Sequence, residues 1–259
     1  MALITFISDF GESDHYVSSV KARILSVNPG LQIIDISHQI EAYNIAHGAY
    51  VIKSVFRNFA TGTVHLVAID TLGNPEYRFL AFKIDDHFFV APDNGICSLI
   101  SEKEPSIVAD ITGQPGKKSS FPSRDILAKA AALLASGTNL QDLGNYTTDY
   151  KRLIDRQIRA TKKQISGAVI RVDHYGNLIT NIEETVFNLI CKNRAFTINF
   201  ARESVNSINQ TYSQVEDGDC FVLFNSIGLM EIGIFRGNAS ELLGLGYDSP
   251  VNIYFKQDE

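Results

Sequence analysis

The fold is decided by two short runs, Leu-Ile-Thr-Phe-Ile-Ser-Asp at residues 3–9 and Thr-Val-His-Leu-Val-Ala-Ile-Asp at residues 63–70. Each is apolar and ends in an aspartate, a pattern typical of a buried strand followed by a polar loop. Between them, apolar residues recur at spacings of three and four, which predicts helices at about 14–27 and 44–56 on either side of a strand at 32–36. Strands that alternate with helices predict a parallel or mixed sheet covered on both faces.

The pattern changes farther along the chain. Residues 78–84 and 87–91 predict a hairpin, and helices are predicted at 94–100 and at 123–136, with Ser123 as the helix cap. The segment 138–163 is polar and has no clear period. Beyond it the pattern is typical of strands, which are predicted at 165–172, 195–199, 220–225, 229–234 and 249–254, with one short helix at 183–189.

Together these patterns predict two domains. We predict an N-terminal α/β domain with a parallel or mixed sheet at residues 1–150 and a linker at 151–163. A smaller all-β, barrel-like C-terminal domain follows at 164–259.

Composition narrows the class of function. The 259 residues carry a net charge of −6 with scattered lysines and arginines, which disfavours a nucleic-acid partner. The three cysteines are far apart and predict neither a disulfide framework nor a zinc site. The apolar start is too short for a signal peptide, and no stretch approaches the roughly 20 residues of a membrane span. We therefore expect a cytoplasmic protein with no membrane partner.

The usual sequence signatures of cofactor and metal sites are missing. The chain has no GxGxxG motif, no P-loop and no HExxH motif, so we expect neither a cofactor nor a metal. Asp9 and Asp70 instead follow the two decisive runs, where ligands bind in open α/β sheets. A carboxylate there can accept hydrogen bonds from the cis-diol of a ribose. The alternative for both residues, and more strongly for Asp14, is that they only start turns or cap helices.

The second half contains an unusual polar run at residues 172–182, centred on Tyr175-Gly176-Asn177. A turn asparagine can pair with the edge of a base, and a tyrosine can stack on its face. The alternative is an ordinary structural turn. The segments 225–228 and 236–239 are likewise interpreted as exposed turns between strands.

In their order and spacing, these segments resemble one family, the S-adenosylmethionine hydroxide adenosyltransferases with their relatives the fluorinases and chlorinases. The resemblance extends over nearly the whole chain. It is carried by Ser-Asp-Phe-Gly (8–11) with Asp14, Tyr16 and Val17; Ile-Leu-Ser-Val-Asn-Pro (24–29); Ile-Ser-His-Gln-Ile (36–40); Gly-Thr-Val-His-Leu-Val (62–67) with Asp70; Ala-Pro-Asp-Asn-Gly (91–95); Ser-Arg-Asp (123–125); residues 173–182; Asn-Ser-x-Gly (225–228); and Gly-Asn-Ala (237–239).

The resemblance implies a homotrimer that binds S-adenosylmethionine (SAM) or adenosine between neighbouring subunits, with SAM as substrate or ligand and no cofactor. It places Asp9 on the ribose hydroxyls and Tyr43 beside the ligand. Asn177 and the backbone of Ala239 would contact the adenine edge, with Tyr175 near the ring. The residues that it places near the methionine portion are Asp14, Asp173 and Ser226.

The family reaction is a displacement at the ribose 5′ carbon, in which methionine leaves as a neutral thioether. Hydrolases of the family activate water with an Asp-Arg-His set, and halogenases use a halide. This chain keeps Asp70, and Arg78 matches the second arginine of the family pattern. Tyr77, however, stands where the first arginine belongs, and Pro122 replaces the histidine. Ser123 occupies a position where fluorinases also carry a serine.

Three interpretations follow. The first is a SAM hydrolase that forms adenosine and L-methionine, with Asp70 and Ser123 as its catalytic residues. The second is a non-catalytic protein of the same fold that binds SAM or adenosine, which the changes at Tyr77 and Pro122 favour. The third is a halogenase, or an enzyme with another adenosyl ligand, which Asp70 disfavours because a carboxylate repels a halide.

Overall fold

A computed structural model describes residues 3–73, 75–113, 118–154 and 156–256. The chain divides into two compact units, residues 1–155 and 156–259, which are described separately. Within the described ranges, no helix is both long and apolar enough to cross a membrane.

Within its described residues, the first unit contains seven strands and four helices. In chain order they are β1 (Leu3–Ser8), α1 (Tyr16–Val27), β2 (Gln32–Ser37), α2 (Ile45–Val55), β3 (Val64–Ala68), β4 (Phe79–Ile84), β5 (His87–Pro92), α3 (Ile96–Leu99), β6 (Ile107–Asp110), α4 (Ala128–Ala135) and β7 (Asn145–Tyr146). Single turns of other helix types lie at Phe56–Asn58, Ser123–Leu127 and Leu140–Asp142.

These strands form one mixed sheet in the order β2-β1-β3-β5-β4-β6-β7. β1 pairs in parallel with β2 and β3, and β3 pairs in parallel with β5. β4 runs antiparallel to both of its neighbours. The carboxyl ends of β1, β2 and β3 therefore lie on the same side of the sheet. The loops that follow these strands carry polar residues of the candidate site.

Apolar side chains cover both faces of this sheet. On one face, Val20 of α1 and Ala131 of α4 pack with strand residues such as Phe6. On the other, Ile52 of α2 and Ile96 of α3 pack with residues of the same strands. A sheet buried on both faces explains why the central strands are continuously apolar instead of alternating.

The second unit contains β8 (Arg159–Ala160), β9 (Gln164–Val172), β10 (Leu178–Glu183), α5 (Glu184–Cys191), β11 (Phe196–Phe200), β12 (Glu203–Val205), β13 (Cys220–Phe224), β14 (Leu229–Ile234), α6 (Ala239–Leu243) and β15 (Pro250–Phe255), with a single helical turn at Tyr212–Gln214. Its main strand order is β12-β11-β15-β9-β10-β14-β13, and β8 pairs with β9. All of the pairings are antiparallel. The sheet is nearly closed and encloses one apolar core.

The predicted fold class is confirmed: an α/β unit with a mixed sheet precedes a barrel-like β unit. The expectation of a single helix in the second half is wrong, because Asn238 caps a second one, α6, by accepting a hydrogen bond from the Glu241 amide at 3.2 Å. The sequence patterns also missed β6, β7, β8, β10 and β12. Apart from β10 these strands are two to four residues long, too short for a period to be recognised.

Candidate active and ligand-binding site

Asp9 holds the loops at the ends of three neighbouring strands together. Its Oδ2 accepts a hydrogen bond from the backbone amide of Tyr43 at 2.9 Å and another from that of Asp70 at 3.0 Å. Asp9 follows β1, Tyr43 lies between β2 and α2, and Asp70 follows β3. Three of the predicted site residues are thus brought to one place, and both amide donors use Oδ2 of Asp9.

The two amide donors have unusual backbone conformations. Tyr43 has φ = 65° and Asp70 has φ = 44°, in the left-handed region that non-glycine residues seldom adopt. Such conformations persist only where surrounding contacts hold the backbone in place, and they concentrate at functional sites. The paired hydrogen bonds to Asp9 supply that constraint here. The Tyr43 ring itself is 77% exposed, so its face is open for stacking.

The pKa of the Asp70 carboxyl is raised by burial and by the nearby charge of Asp9, while Lys151 opposes the shift. Its carboxylate lies against Gly73, where an added Cβ would stand 2.0 Å from Asp70 Oδ2. The side chain of Asn94 donates to the carbonyl of Ile69 at 2.9 Å, directly before Asp70 at the end of β3. Asp70 is therefore a constrained carboxylate with raised proton affinity, which suits a general base.

A cavity of about 600 Å³ opens beside Asp9 and is lined by Asp9, Phe10, Gly11, Glu12, Ser13, His38, Gln39, Ile40 and Ala42. Asp14 is exposed and follows this lining. It does not begin α1, which starts at Tyr16 after His15. A larger cavity of about 900 Å³, beside β6 and β7, is lined by none of the predicted site residues.

His38 lines the cavity beside Asp9, and its contacts join the loop after β1 to the loop after β2. Its Nδ1 lies 2.8 Å from the Ser8 hydroxyl, and its carbonyl accepts from the Gly11 amide at 2.8 Å. Its Nε2 lies 3.1 Å from Asp35 Oδ1. Burial raises the pKa of Asp35, but the hydrogen bonds from Lys21 and His38 outweigh it and leave that pKa lowered. Both ring nitrogens of His38 thus face polar side chains, Ser8 of β1 and Asp35 of β2.

Ser123 is buried and its hydroxyl donates to Thr71 Oγ1 at 3.1 Å. The prediction that Ser123 caps a helix is wrong. The helical turn begins at Ser123 itself after Pro122, and no side chain caps it. The hydroxyl is turned toward Thr71 instead, next to Asp70 in the chain. The two predicted catalytic residues are therefore linked through Thr71, a residue that the sequence did not single out.

Tyr77, at the position of the family's first arginine, has a packing role. Its hydroxyl accepts from the Ser119 amide at 2.6 Å and donates to the Ser119 carbonyl at 3.1 Å. Its ring is buried and packs edge-on against Phe79. The Ser119 hydroxyl in turn accepts from the Phe121 amide at 2.9 Å. Tyr77 thus fixes the loop that leads to Ser123.

Arg78, which matches the family's second arginine, is surrounded by carboxylates. It pairs with Asp93 at 3.3 Å, Asp110 at 3.2 Å and Asp149 at 3.4 Å, and with Glu76 at 3.9 Å. Its pKa is raised: burial opposes the shift, and the neighbouring carboxylates outweigh it. Its guanidinium is therefore occupied by ion pairs, including those with Asp93 after β5 and Asp110 of β6, the two strands beside β4.

In the second unit, Asp173 organises the predicted Tyr-Gly-Asn turn. Its Oδ1 accepts from the amides of Tyr175 at 2.9 Å and Asn177 at 2.8 Å, and its Oδ2 accepts from Asn177 Nδ2 at 3.2 Å. The Tyr175 ring remains 76% exposed. Asp173, predicted to lie near methionine, therefore shapes the turn that presents Tyr175 and Asn177.

The start of α6 packs on the same turn. The amide of Ser240 donates to the carbonyl of Gly176 at 2.9 Å. A Cβ on Gly176 would stand 2.0 Å from Asn238 Oδ1, so glycine is required there. Ala239 lies between these contacts and is fully buried. The residues beside Asn177 and Ala239 in the chain are thus in contact with each other.

Glu231 of β14 holds the turn that carries Ser226. It is only 3% exposed, and its Oε2 accepts from Asn225 Nδ2 at 3.2 Å. Asn225 also accepts from the amide of Ile227 at 3.2 Å, which leaves Ser226 exposed at the tip. Glu231 was missed by the sequence analysis because a single acid inside an apolar strand matches no motif.

Within the ranges that the structure describes, no group of three or more His, Cys, Asp or Glu side chains is placed to hold a metal ion. All three cysteines are free thiols.

Known proteins resemble this chain over most or nearly all of its length. It is 32% identical to the (R)-S-adenosyl-L-methionine hydrolase of Methanocaldococcus jannaschii, over 98% of this chain and 96% of that protein. It is 27% identical to a fluorinase of Actinoplanes sp., over 71% of this chain and 72% of that protein. An uncharacterized conserved protein of Thermotoga maritima has a crystal structure that superposes with a TM-score of 0.87 at 28% identity, covering 97% of this chain and 99% of that one.

Both units also match domain families of known description. Residues 4–144 match the SAM hydroxide adenosyltransferase N-terminal domain, and residues 167–252 match the corresponding C-terminal domain. The matches include the ends of β1 and β3 with Asp9 and Asp70, and the turns with Asn177 and Ala239. The chain therefore belongs to the SAM hydroxide adenosyltransferase family.

Proposed function

We propose that this protein is a SAM hydrolase that forms adenosine and L-methionine by attack of water at the ribose 5′ carbon. The observation that carries the proposal is the pair Asp9 and Asp70, a ribose-binding carboxylate and a constrained base held together by one hydrogen bond. Relatives that carry the hydrolase name and match nearly the full chain support it.

In this proposal each unit supplies its own set of substrate-binding residues. Asp9 Oδ1 accepts hydrogen bonds from the ribose hydroxyls, because Oδ2 already accepts two backbone amides. The exposed rings of Tyr43 and Tyr175 stack on the ligand, and Asn177 with the Ala239 backbone contacts the adenine edge. The methionine portion is placed near Asp14, Asp173 and Ser226.

In the chemical step, the water oxygen forms a bond to C5′ while the C5′–sulfur bond breaks. The electron pair of that bond goes to the sulfonium sulfur, so methionine leaves as a neutral thioether without a general acid. The proton of the attacking water goes to Asp70, whose raised pKa suits the transfer. Ser123, through Thr71, helps to orient the water. The reaction as written needs no cofactor.

The second candidate is a protein that binds SAM or adenosine without turnover. It is favoured by the packing of Tyr77 and by the presence of Pro122, which cannot carry a proton. A halogenase is disfavoured because a halide would be bound beside the carboxylate of Asp70.

Assembly and location follow as part of the proposal. We propose a homotrimer in the cytoplasm, in which neighbouring copies contribute to each ligand site, with no nucleic acid or membrane as partner. Light scattering coupled to gel filtration tests the assembly. A monomer that still turns over SAM would contradict it.

The activity is tested by incubating purified protein with SAM, with and without chloride or fluoride, and separating adenosine, halogenated adenosine and methionine by chromatography. Asp70→Asn should lower adenosine formation by about 10²-fold or more. Asp86→Asn is a matched control because Asp86 also has a positive φ, 63°, but lies in an exposed turn. Tight SAM binding without product would instead support the binding protein, and a halide-dependent product the halogenase.

A further inference from the structure

Lys151 lies in the segment 149–153, which follows β7 and is held by side chains of the sheet. The backbone amide of Lys151 donates to Asp93 Oδ1 at 2.8 Å. Asp93 is only 2% exposed, and its other carboxylate oxygen pairs with Arg78 at 3.3 Å. Because a buried and ion-paired carboxylate accepts this amide, the backbone of Lys151 is fixed at the end of β5.

Neighbouring side chains of this segment lie on opposite sides of it. Tyr150 and Arg152 line the cavity of about 900 Å³ beside β6 and β7. Leu153 lies outside that lining and packs on Gly95, where an added Cβ would stand 2.4 Å from Leu153 Cγ. Lys151 is also outside the lining and is exposed. Its side chain therefore extends from the side of the segment that faces Gly95.

The loop that carries Asp70 is bonded to the same short stretch of chain. Asn94 directly follows Asp93, and its Nδ2 donates to the carbonyl of Asp70 at 3.3 Å. Asp70 and Lys151 are thus hydrogen-bonded to adjacent residues, and a lysine side chain is long and flexible enough to bring its ammonium group toward such a neighbour. In agreement, the positive charge of Lys151 acts on the pKa of Asp70 in opposition to burial and to the charge of Asp9.

Asp70 gains from a nearby positive charge because another acid lies beside it. The amide of Asp70 donates to Asp9 Oδ2 at 3.0 Å, so two carboxyl groups share one end of the sheet. Like charges at such a separation disfavour ionisation of the second group. Arg78 does not offset them, since its guanidinium is occupied by Asp93 at 3.3 Å and Asp110 at 3.2 Å. The compensating charge must come from another segment.

We propose that Lys151 is a positioning residue that keeps the Asp70 carboxylate ionised by holding its ammonium group near it. The inference rests on the proposed function, because it concerns the base of the same reaction. Asp70 alone receives the proton of the attacking water, and Lys151 acts only through its charge on Asp70. An opposite charge favours the ionised form of a carboxyl group. Lys151 therefore widens the range of pH over which Asp70 can serve as a base.

The first test is the pH dependence of kcat/KM for adenosine formation. Lys151→Met removes the charge and should move the acidic limb of the profile to higher pH by about 0.5, which lowers kcat/KM about threefold below the limb. Above the limb the variant should match the wild type. Lys151→Arg keeps the charge and should restore the wild-type profile. Lys129→Met is the control, since Lys129 is exposed on α4, and it should leave the limb in place.

The second test needs no turnover. It compares the unfolding temperatures, at pH 7, of the wild type, Lys151→Met, Asp70→Asn and the double variant. Lys151→Met should lower the unfolding temperature by about 1–2 °C more when Asp70 is present than in the Asp70→Asn background, where the ammonium group has no ionised partner at this position. A role of Lys151 through its backbone amide alone would give the same change in both backgrounds.

The two tests separate the inference from the proposed function. An acidic limb that stays in place in folded Lys151→Met overturns the inference, while continued adenosine formation leaves the proposed function standing. If the wild type forms no adenosine, the proposed function fails and the unfolding temperatures decide the inference: equal changes in the two backgrounds overturn it, and unequal changes support it. Should Lys151→Met not fold, Lys151→Gln, which is uncharged but keeps a polar end, replaces it in both tests.

Discussion

The backbone amide of Asp70 donates a 3.0 Å hydrogen bond to the carboxylate of Asp9, 61 residues earlier in the chain. The bond joins the ends of two parallel strands, β1 and β3, and it holds Asp70 at a φ of 44°. The proposed ribose-binding acid thus also shapes the loop of the proposed base. Substitutions at Asp9 should therefore affect the ligand and the fold together.

Asp9→Ala should weaken SAM binding by about 2–4 kcal/mol, because charge-assisted hydrogen bonds to the ribose are lost. It should also lower the free energy of unfolding by about 1–3 kcal/mol, because the amides of Tyr43 and Asp70 lose their acceptor. Asp9→Asn keeps an amide oxygen as acceptor and should retain most of the stability while binding more weakly. Calorimetric titration and urea unfolding measure the two effects. An unchanged dissociation constant in Asp9→Ala would remove the ribose assignment.

Asp70→Asn should change activity and stability in opposite directions. As a base Asp70 must be ionised, so wild-type activity should fall as pH decreases through a pKa above the ordinary 3.8. A raised folded-state pKa contributes stability below the ordinary pKa, and that contribution is lost as pH rises through the folded-state value. At pH 7 the neutral asparagine should therefore unfold at a higher temperature than the wild type, while adenosine formation drops by about 10²-fold or more. Lower thermal stability at pH 7 would contradict this account of the Asp70 environment.

Gly73→Ala should impair catalysis more than folding. The new Cβ would stand 2.0 Å from Asp70 Oδ2, so the carboxylate must move. Gly73 is exposed and lies in a loop, so we expect the fold to persist. Gly246→Ala is the control, because a Cβ there meets nothing within 4 Å. Steady-state kinetics should show a lower kcat for Gly73→Ala only, and equal kcat values in the two variants would refute the proposed role of the carboxylate position.

Tyr77→Phe should lower the free energy of unfolding by about 1–3 kcal/mol, because both backbone groups of Ser119 lose their partner. Tyr247→Phe, with a side chain that is 69% exposed, should change it by less than about 0.5 kcal/mol. Urea unfolding measures both variants. If Tyr77→Phe were as stable as the control, Tyr77 would not fix the loop before Ser123.

His65 should make the first unit sensitive to acid. Its ring is fully buried between Thr5, 2.6 Å from Nδ1, and His87, 3.2 Å from Nε2. Burial, followed by the neighbouring His87, lowers the pKa of His65 to about 3. Below about pH 6.5 the unfolded chain binds a proton that the folded chain excludes, so stability should fall by about 1.4 kcal/mol per pH unit toward pH 3.

Urea unfolding between pH 7 and pH 4 follows this change. His65→Gln has no titrating ring and should show a shallower decline, although it should be less stable at pH 7. His174→Gln, an exposed position, should behave like the wild type. A wild-type stability that is flat from pH 7 to pH 4 would show that His65 titrates normally.

The sequence by itself determined the alternation of strands and helices, the change to a β unit, and the residues that carry the family resemblance. These features are local. A period of three to four residues, an apolar run ended by an aspartate, or a turn motif can be recognised from neighbouring residues alone, without knowing which other segment packs against them. Asp9, Asp70 and the Tyr175-Gly176-Asn177 turn were found in this way.

Only the tertiary structure decided what these residues contact. It showed that Ser123 bonds to Thr71 instead of capping a helix, that Tyr77 holds Ser119, and that the amide of Asp70 donates to Asp9. These contacts join segments tens of residues apart, and their geometry depends on strand register and on which polar groups are left unpaired after burial. Hydrogen bonds of this kind have no period along the chain, because only packing brings the donor and the acceptor together.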